Sequence, residues 1–117
     1  ITGVEPGEHG FHIHEFGYLS GGCDTAGAHN NPEDVDHGDL EDGHVGDLGN
    51  VTADENGVVT LNVTAPRVDL SGDRSVVGRS IIIHSDKDDL GLGGDAESIK
   101  TGNAGERLAC GVITLAE

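Results

Sequence analysis

Short stretches of alternating or continuous apolar residues, separated by glycine-rich polar segments, run along the whole chain. Alternation of apolar and polar side chains predicts strands, because successive strand residues point to opposite faces of a sheet. No stretch has the apolar spacing of a long amphipathic helix, and the segment GDAESIKTG predicts a short helical turn. Strands are predicted at residues 10–16, 45–53, 57–65, 76–84 and 108–115.

Two long polar segments interrupt this pattern of short strands. Residues 17–44 and 85–107 are rich in Gly and Asp and show little apolar periodicity. Loops of this length are uncommon in a compact domain unless they are functional or anchored. The pair Asn56-Gly57 predicts a tight hairpin turn. Short strands joined by glycine-rich turns favour an all-β fold, an antiparallel sandwich or barrel, in one domain.

Composition restricts both the core and the partners. Aromatic residues make up 3% of the chain, so the core is expected to consist of Val, Ile, Leu and Ala. The formal net charge of −16 argues against nucleic acid and anionic membranes as partners, because both repel an anionic protein. No apolar run predicts a transmembrane helix. All Lys and Arg residues follow position 66, whereas six of the seven histidines precede it. The first part of the chain is therefore a candidate region for binding cations.

The first long loop contains side chains that suit zinc. It includes His29, His37 and His44, and Asp47 follows closely. Three imidazoles and one carboxylate match a four-coordinate zinc site. A bound ion would also anchor a loop that has few apolar residues. A solvated loop with scattered histidines explains the same stretch, so this segment alone leaves both interpretations open.

A second group of histidines falls on predicted strands. His12 and His14 are two residues apart and therefore point to the same face, and the run IIIH places His84 at the end of a buried strand. With one histidine from the first loop they supply four nitrogens, which suits Cu(II). A solvated strand face and a turn hydrogen bond explain these residues separately. Their occurrence together with a zinc-type set in one small domain favours metal binding.

Two cysteines, Cys23 and Cys110, leave two interpretations open. A disulfide is natural in a secreted protein, and free thiols are the default in the cytosol. If the two residues pair, the closed loop is long, and the chain-entropy model gives about 4–5 kcal/mol of stabilisation.

Several motifs carry a resemblance to a known family. They are HGFHIHEFG, CDTAGAHNNP, HVGDLGNVTAD, VVGRSIIIH, DDLG and GNAGERLACGVI. Together they resemble the copper/zinc superoxide dismutases over essentially the whole chain. The resemblance implies an all-β fold, a Greek-key antiparallel β-sandwich or barrel with two long functional loops, in one domain at residues 1–117. It also leads us to expect that the first N-terminal strands of the family, roughly 30 residues, are missing here.

The resemblance implies two metal sites that share one side chain. Copper would be held by His12, His14, His29 and His84. Zinc would be held by His29, His37, His44 and Asp47. The shared His29 would bridge the ions as an imidazolate, because two cations favour loss of its second ring proton near neutral pH.

Further residues have supporting roles by the same resemblance. Asp88 is similar to a carboxylate that links a copper histidine to a zinc histidine and orients both. His9 is similar to a supporting histidine that binds no metal. Cys23 and Cys110 are similar to the intrasubunit disulfide that pins the first loop to the last strand.

The implied activity is the dismutation of superoxide. Copper would take an electron from one superoxide and give it to a second, releasing O2 and H2O2, while zinc orders the loop. His29 would deliver a proton and Arg107 would attract the anion, so both are predicted to be catalytic. Lys100 and Lys87 are expected to help guide the substrate against the negative charge of the whole molecule.

Two other functions are weighed against this one. A non-catalytic copper-binding or copper-chaperone-like domain of the same fold would have an imperfect ligand set, whereas all positions are filled here and Arg107 is present. A zinc hydrolase would need an open position on its zinc, which four protein ligands close. The sequence therefore favours the oxidoreductase.

The resemblance also implies partners and a location. A homodimer is expected, with contacts near Gly17, near Gly78 and along the C-terminal strand, and a copper chaperone is an expected partner for metal loading. The overall likeness is to cytoplasmic forms. An extracellular location stays open, because a disulfide suits secretion.

Overall fold

A four-stranded antiparallel sheet dominates the computed structural model, which describes residues 1–61, 63–65, 67–72 and 74–114. The strands are β1 (Gly7–His14), β2 (Asp47–Ala53), β3 (Ser80–His84) and β4 (Arg107–Val112). Their order in the sheet is β2-β1-β3-β4. The connections contain a 3-10 turn, Cys23–Ala26, and a short helix α1, Ser98–Thr101. The prediction of an all-β antiparallel fold is confirmed, and no helix in these ranges is long and apolar enough to cross a membrane.

The central strand β1 separates an apolar core from the histidines. It is buried on both faces from His9 to His14. Phe11 pairs with Ile83 of β3 and packs with it in the main apolar cluster. The other members of this cluster are Val4, Val51, Ala53 and Val59. Since neighbouring strand residues face opposite ways, His12 lies on the other face, as the alternation predicts.

The sheet order requires a crossover. Strands β2 and β3 follow each other along the chain but lie on opposite sides of β1. The connection between them therefore passes across β1 instead of forming a hairpin. This crossover is the kind of connection that a Greek-key topology contains.

The predicted strand at residues 57–65 is wrong for its described part. The turn before it forms, with Gly57 at φ +74°, but one isolated bridge joins Ala53 to Val59. The Val59 N–H donates instead to the carbonyl of Ile1, at 2.8 Å. The local pattern predicted a hairpin, and pairing with the N-terminal segment replaced it.

The other predicted strands are confirmed with shifted ends. The prediction for residues 76–84 includes a turn, in which the Arg79 N–H donates to the Val76 carbonyl at 3.0 Å, so that β3 begins at Ser80. Position 62 of the 57–65 prediction and position 115 of the last strand lie outside the described residues.

The two long connections are joined to each other and to the sheet. The backbone N–H of His37, in the connection from β1 to β2 (here the first connection), donates to the carbonyl of Ile99, in the connection from β3 to β4 (here the second connection), at 2.8 Å. A disulfide between Cys23 and Cys110 ties the first connection to β4, with Cα atoms 5.7 Å apart. The disulfide is confirmed. Both connections are thereby held together over the histidine-bearing part of the sheet.

Local irregularities of the sheet accompany two histidines. The register of β1 against β2 shifts between Gly10 and His12, and that of β3 against β4 shifts between Ile83 and His84. Such bulges bend a strand and change the direction of the nearby side chains. The position of both imidazoles is therefore set partly by strand distortion.

Candidate metal centre

Three histidines of the first connection and the first residue of β2 converge in a buried group, here named the loop cluster. Its members are His29, His37, His44 and Asp47. The Nδ1 atom of His29 lies 2.9 Å from Asp47 Oδ1 and 3.3 Å from His44 Nδ1. The Nδ1 atom of His37 lies 2.8 Å from Asp47 Oδ2. The structure thus brings together all four predicted zinc ligands.

The histidines predicted to bind copper form a second buried group, here named the strand cluster. Its members are His12, His14, His29 and His84. Each offers a ring nitrogen, and the four atoms lie within 4.8 Å of one another. The Nε2 atoms of His14 and His84 are 3.3 Å apart. This spacing lets four nitrogens reach one ion.

One nitrogen of each strand-borne imidazole is already engaged by another group. The contacts are His12 Nε2 to Asp88 Oδ2 at 2.6 Å, His14 Nδ1 to the Gly27 carbonyl at 2.9 Å, and His84 Nδ1 to the Gly105 carbonyl at 3.3 Å. The remaining nitrogen of His12, Nδ1, is buried and has no hydrogen-bond partner among the described residues. A buried polar atom without a partner is costly, and a bound metal ion would satisfy it.

His29 belongs to both clusters. Its ring centroid lies 4.0 Å from that of His12 and 4.9 Å from that of His14, and 5.1 Å from that of His37 and 5.3 Å from that of His44. Because its Nδ1 faces the loop cluster, its Nε2 is the atom left for the strand cluster. One imidazole can therefore contact two ions.

His12 also comes close to the loop cluster. Donor atoms of His12, His29, His37 and Asp47 lie within 4.8 Å of one another, a set that leaves out His44. We favour His44 as the fourth member of the loop cluster, because its Nδ1 lies 3.3 Å from both His29 Nδ1 and Asp47 Oδ1. The free nitrogen of His12 belongs with the strand cluster.

The carboxylate of Asp88 connects the two clusters by contacting one histidine of each. Its Oδ2 lies 2.6 Å from His12 Nε2 and its Oδ1 lies 2.6 Å from His37 Nε2, and the residue is fully buried. Asn50 fixes the backbone of Asp88, since its Nδ2 donates to the Asp88 carbonyl at 2.9 Å and its Oδ1 accepts from the Asp88 N–H at 2.7 Å. Sequence reasoning missed Asn50, and no local pattern pairs it with a residue 38 positions away.

Burial keeps the strand cluster neutral. It lowers the pKa of His12 and of His14 to about 3, and that of His84 to about 4, against the backbone and carboxylate contacts that raise these values. Burial also lowers the pKa of His29. Neutral imidazole is the form that binds metal, so these rings are ready for an ion near neutral pH.

The loop cluster has a different charge balance. Burial lowers the pKa of His37, but the nearby carboxylates of Asp47 and Asp88 outweigh it and raise the pKa to about 9. Burial raises the pKa of both carboxyl groups, but the hydrogen bonds from the histidines bring each well below its usual range. Two ionised carboxylates around His37 favour a cation in this cluster.

The residues present fit copper and zinc. Four nitrogens suit Cu(II), and three imidazoles with one carboxylate suit zinc. The unpartnered Nδ1 of His12 supports the first ion. His37 Nδ1 and Asp47 Oδ2 support the second, because they lie 2.8 Å apart without the geometry of a hydrogen bond.

A cavity of about 880 Å³ opens onto both clusters. Its lining includes His14, His29, His84, Arg107 and Lys100. The guanidinium of Arg107 donates to the carbonyl of Cys23 at 2.8 Å and to that of Gly27 at 2.7 Å. The cation is thus held at the wall of the cavity by the backbone beside the disulfide.

The remaining predicted residues lie outside the clusters. His9 Nδ1 lies 2.8 Å from the carbonyl of His84, and its Nε2 lies 2.7 Å from that of Glu5. The side chain of Lys87 is 65% exposed, with Nζ 3.2 Å from Glu8. The structure therefore brings Lys100, and not Lys87, to the lining of the cavity.

The antiparallel β fold and the two clusters with one common imidazole define a protein of the two-metal, copper and zinc class. Residues 1–113 match the family model described as copper/zinc superoxide dismutase. The chain is 56% identical over 115 residues to superoxide dismutase [Cu-Zn] A of Xenopus laevis, a match that covers 97% of this chain and 76% of that protein. The chain belongs to the copper/zinc superoxide dismutase family.

Proposed function

We propose that this chain dismutates superoxide, with copper in the strand cluster and zinc in the loop cluster. The reaction consumes two superoxide anions and two protons and yields one O2 and one H2O2. When bound, copper supplies a one-electron redox couple and zinc supplies a charge without redox chemistry. The observation that carries the proposal is the position of His29, which belongs to both clusters.

Arg107 binds and orients the anionic substrate. Its guanidinium is held by two backbone carbonyls and lines the same cavity as His14 and His84. A fixed cation in a confined pocket attracts and aligns a small anion better than a mobile surface charge. Lys100 adds charge at the lining, and Lys87 acts from farther away.

His29 moves the proton. Its Nδ1 faces Asp47 and His44, so its Nε2 is the atom that takes up a proton from solvent and gives it to the reduced oxygen anion, which takes its second proton from water. His29 lines the cavity, so the proton has a short path. Asp88 keeps the rings of His12 and His37 in place while this happens.

The test loads metal-free protein with copper and zinc and measures metal content together with superoxide removal. We expect one ion of each metal per chain and rapid dismutation. His14→Ala should lose copper and activity but keep zinc. His44→Ala should lose zinc before it loses copper. A wild-type protein that binds copper without removing superoxide would contradict the proposal and indicate a copper carrier.

We further propose a homodimer that uses the surface around Phe16, Gly17 and Gly78. A Cβ at Gly17 would overlap the Gly78 carbonyl, so these two segments pack directly against each other. Phe16 is 53% exposed, and Tyr18 and Val112 nearby are 65% and 45% exposed. Analytical ultracentrifugation should give a dimer for the wild type and a monomer for Phe16→Glu.

We also propose that residues 1–117 form one domain of the family. The Cα radius of gyration is 13.4 Å, close to the roughly 13 Å of a compact domain of 100 residues. Limited proteolysis of the metal-loaded protein should leave one resistant core, and a stable cut into two halves would contradict this.

Copper delivery and location complete the proposal. The strand-cluster histidines are at most 5% exposed, so we expect a copper chaperone to load the site in the cytoplasm. The metal-free protein should take up copper more slowly from a Cu(I) chelate in buffer than from the same chelate in cell extract. Recovery of the protein in the medium, and not in the cytoplasmic fraction, would indicate an extracellular form.

A further inference from the structure

The segment between His37 and His44 is fastened to the rest of the molecule by Arg67. The guanidinium Nη1 donates to the carbonyl of Glu41 at 2.7 Å, and Nη2 donates to the carbonyl of Gly43. Arg67 lies 24 positions beyond Gly43 in the sequence. These two bonds use the forked shape of the guanidinium, which a single-point donor such as lysine lacks.

The second of these bonds reaches a zinc ligand through one peptide unit. The Gly43 carbonyl and the His44 N–H belong to the same planar peptide and point in opposite directions. That N–H donates to Asp47 Oδ2 at 2.8 Å. The peptide thus lies between the guanidinium of Arg67 and the carboxylate of Asp47, and both charges polarise it in the same sense.

The packing leaves this peptide little freedom on the Asp47 side. A Cβ at Gly43 would overlap Asp47 Oδ2 and the backbone of Gly38. The Gly38 N–H donates to the same oxygen, Asp47 Oδ2, at 3.1 Å. A shift of the peptide would therefore move the carboxylate with it.

The charge of the surrounding segment opposes this arrangement. Residues 33–42 contain six acidic side chains and no Lys or Arg. Those acids are Glu33, Asp34, Asp36, Asp39, Glu41 and Asp42. Like charges close in sequence repel one another and favour an open loop. Arg67 supplies a positive charge from outside the segment and binds its backbone.

We propose that Arg67 is a positioning residue for the zinc site, which holds the Gly43–His44 peptide so that Asp47 and His44 keep the orientation that zinc needs. The inference rests on the proposed role of the loop cluster. Within the described part of the chain, the hydrogen bonds of Arg67 go to the carbonyls of Glu41 and Gly43 and not to the proposed ligands, so Arg67 acts through the Gly43–His44 peptide.

The experiment measures zinc release to a chelator from the copper- and zinc-loaded protein with its disulfide intact. Arg67→Gln should release zinc about tenfold faster, the scale expected when a partner of a metal ligand is lost. It should also speed hydrogen exchange at the His44 amide. Arg74→Gln is the matched control, because Arg74 pairs with Glu33 of the same segment at 2.8 Å through side chains that are about half exposed.

Arg67→Lys separates charge from geometry. It keeps the positive charge but not the two simultaneous bonds to the carbonyls of Glu41 and Gly43, so its zinc release should lie between the wild type and Arg67→Gln. The same variant serves if Arg67→Gln does not fold. Zinc release at the wild-type rate in both Arg67 variants, or equally fast release in Arg74→Gln, would overturn the proposal. Zinc content unchanged by His44→Ala would overturn the zinc site itself, and the role of Arg67 with it.

Discussion

At the scale of single residues, the site depends on the ring nitrogens that point away from the clusters and on the groups that these nitrogens contact. His12 and His37 present one nitrogen to a cluster and the other to Asp88. His14 and His84 use backbone carbonyls in the same way. Such partners fix the ring orientation and the tautomer, and their loss commonly weakens metal binding. Substitutions next to these partners should therefore weaken the binding of the metal ions.

Gly102→Ala should disturb the Asp88 link. Gly102 has φ +72°, and a Cβ there would overlap Asp88 Oδ1 and His37 Nε2. We expect zinc release at least about tenfold faster than in the wild type. Gly94→Ala is the control, because Gly94 has φ +81° but nothing within 4 Å of its Cβ position. Equal zinc release by the two variants would mean that backbone strain alone causes the effect.

The pKa values predict how the stability of the metal-free protein changes with pH. The pKa values of His12, His14 and His84, about 3, 3 and 4, lie below the usual 6.5. Below pH 6.5 the unfolded chain binds more protons at these histidines than the folded chain does. Their contribution to the free energy of unfolding is therefore complete above pH 6.5 and is lost as pH falls. The pKa of His37, about 9, lies above 6.5, so its contribution is present below pH 6.5 and lost as pH rises through 9.

The free energy of unfolding of the metal-free, disulfide-bonded protein should therefore peak near pH 6.5. Urea unfolding between about pH 4 and pH 10 measures this directly. His37→Gln should remove part of the alkaline decline and leave the acid decline in place. A stability that rises steadily across the range would contradict the assignment of these pKa shifts.

At the scale of elements, the sheet provides the fixed positions and the two long connections complete the site. Strand β1 supplies two histidines from one face and β3 supplies one at its end. The first connection supplies His29, His37 and His44, and β2 supplies Asp47 at its start. The connections are anchored by the disulfide and by the backbone hydrogen bond from His37 to Ile99. Because the connections have little secondary structure, their anchors determine how stable the site is.

Removing the disulfide should weaken both stability and substrate attraction. Cys23 and Cys110 are 87 positions apart, and the chain-entropy model gives about 4–5 kcal/mol for closing a loop of that length. The double variant Cys23→Ala/Cys110→Ala should lower the free energy of unfolding by up to that amount. Urea unfolding checks this.

The same double variant should lower kcat/KM, because the Cys23 carbonyl holds Arg107 at 2.8 Å. Superoxide removal at low ionic strength, compared with the wild type at equal metal content, measures this effect. Full kcat/KM in a destabilised double variant would show that Arg107 keeps its position without the bridge.

At the scale of the whole molecule, the net charge of −16 opposes an anionic substrate. The cavity lining itself contains Glu15, Asp36 and Glu97 together with Lys100 and Arg107. Attraction is therefore local and depends on two cations close to the clusters. A confined field of this kind acts over about one Debye length and weakens as salt is added.

Arg107→Ile should slow turnover and weaken its dependence on ionic strength. Lys100→Gln should have a smaller effect of the same kind, and Lys87→Gln, outside the cavity lining, the smallest. Initial rates of superoxide removal from about 10 mM to 200 mM salt, a range over which screening changes strongly, test this order. An unchanged rate at low salt in Arg107→Ile would rule out the role of that guanidinium.

Much of the fold and of the site could be predicted from the sequence. The alternation in HGFHIHEFG predicted a strand with His12 and His14 on one face, and β1 confirms it. The prediction of a hairpin strand at residues 57–65 was wrong, because the Val59 N–H bonds to the N-terminal segment instead. A local sequence pattern cannot show that a distant segment will take that hydrogen bond. The residues that position the site, Asn50 and Arg67, were missed for the same reason: their partners are 38 and 24–26 positions away.

The sequence by itself determined the types of donor atom, the strand periodicity and the resemblance to a family, because each depends on residue identity and on near neighbours along the chain. The tertiary structure decided which nitrogen of each imidazole faces a cluster and which lysine reaches the cavity. It also decided which groups hold Asp88 and the Gly43–His44 peptide in place. Those choices follow from contacts between distant segments, and only folding brings these segments together.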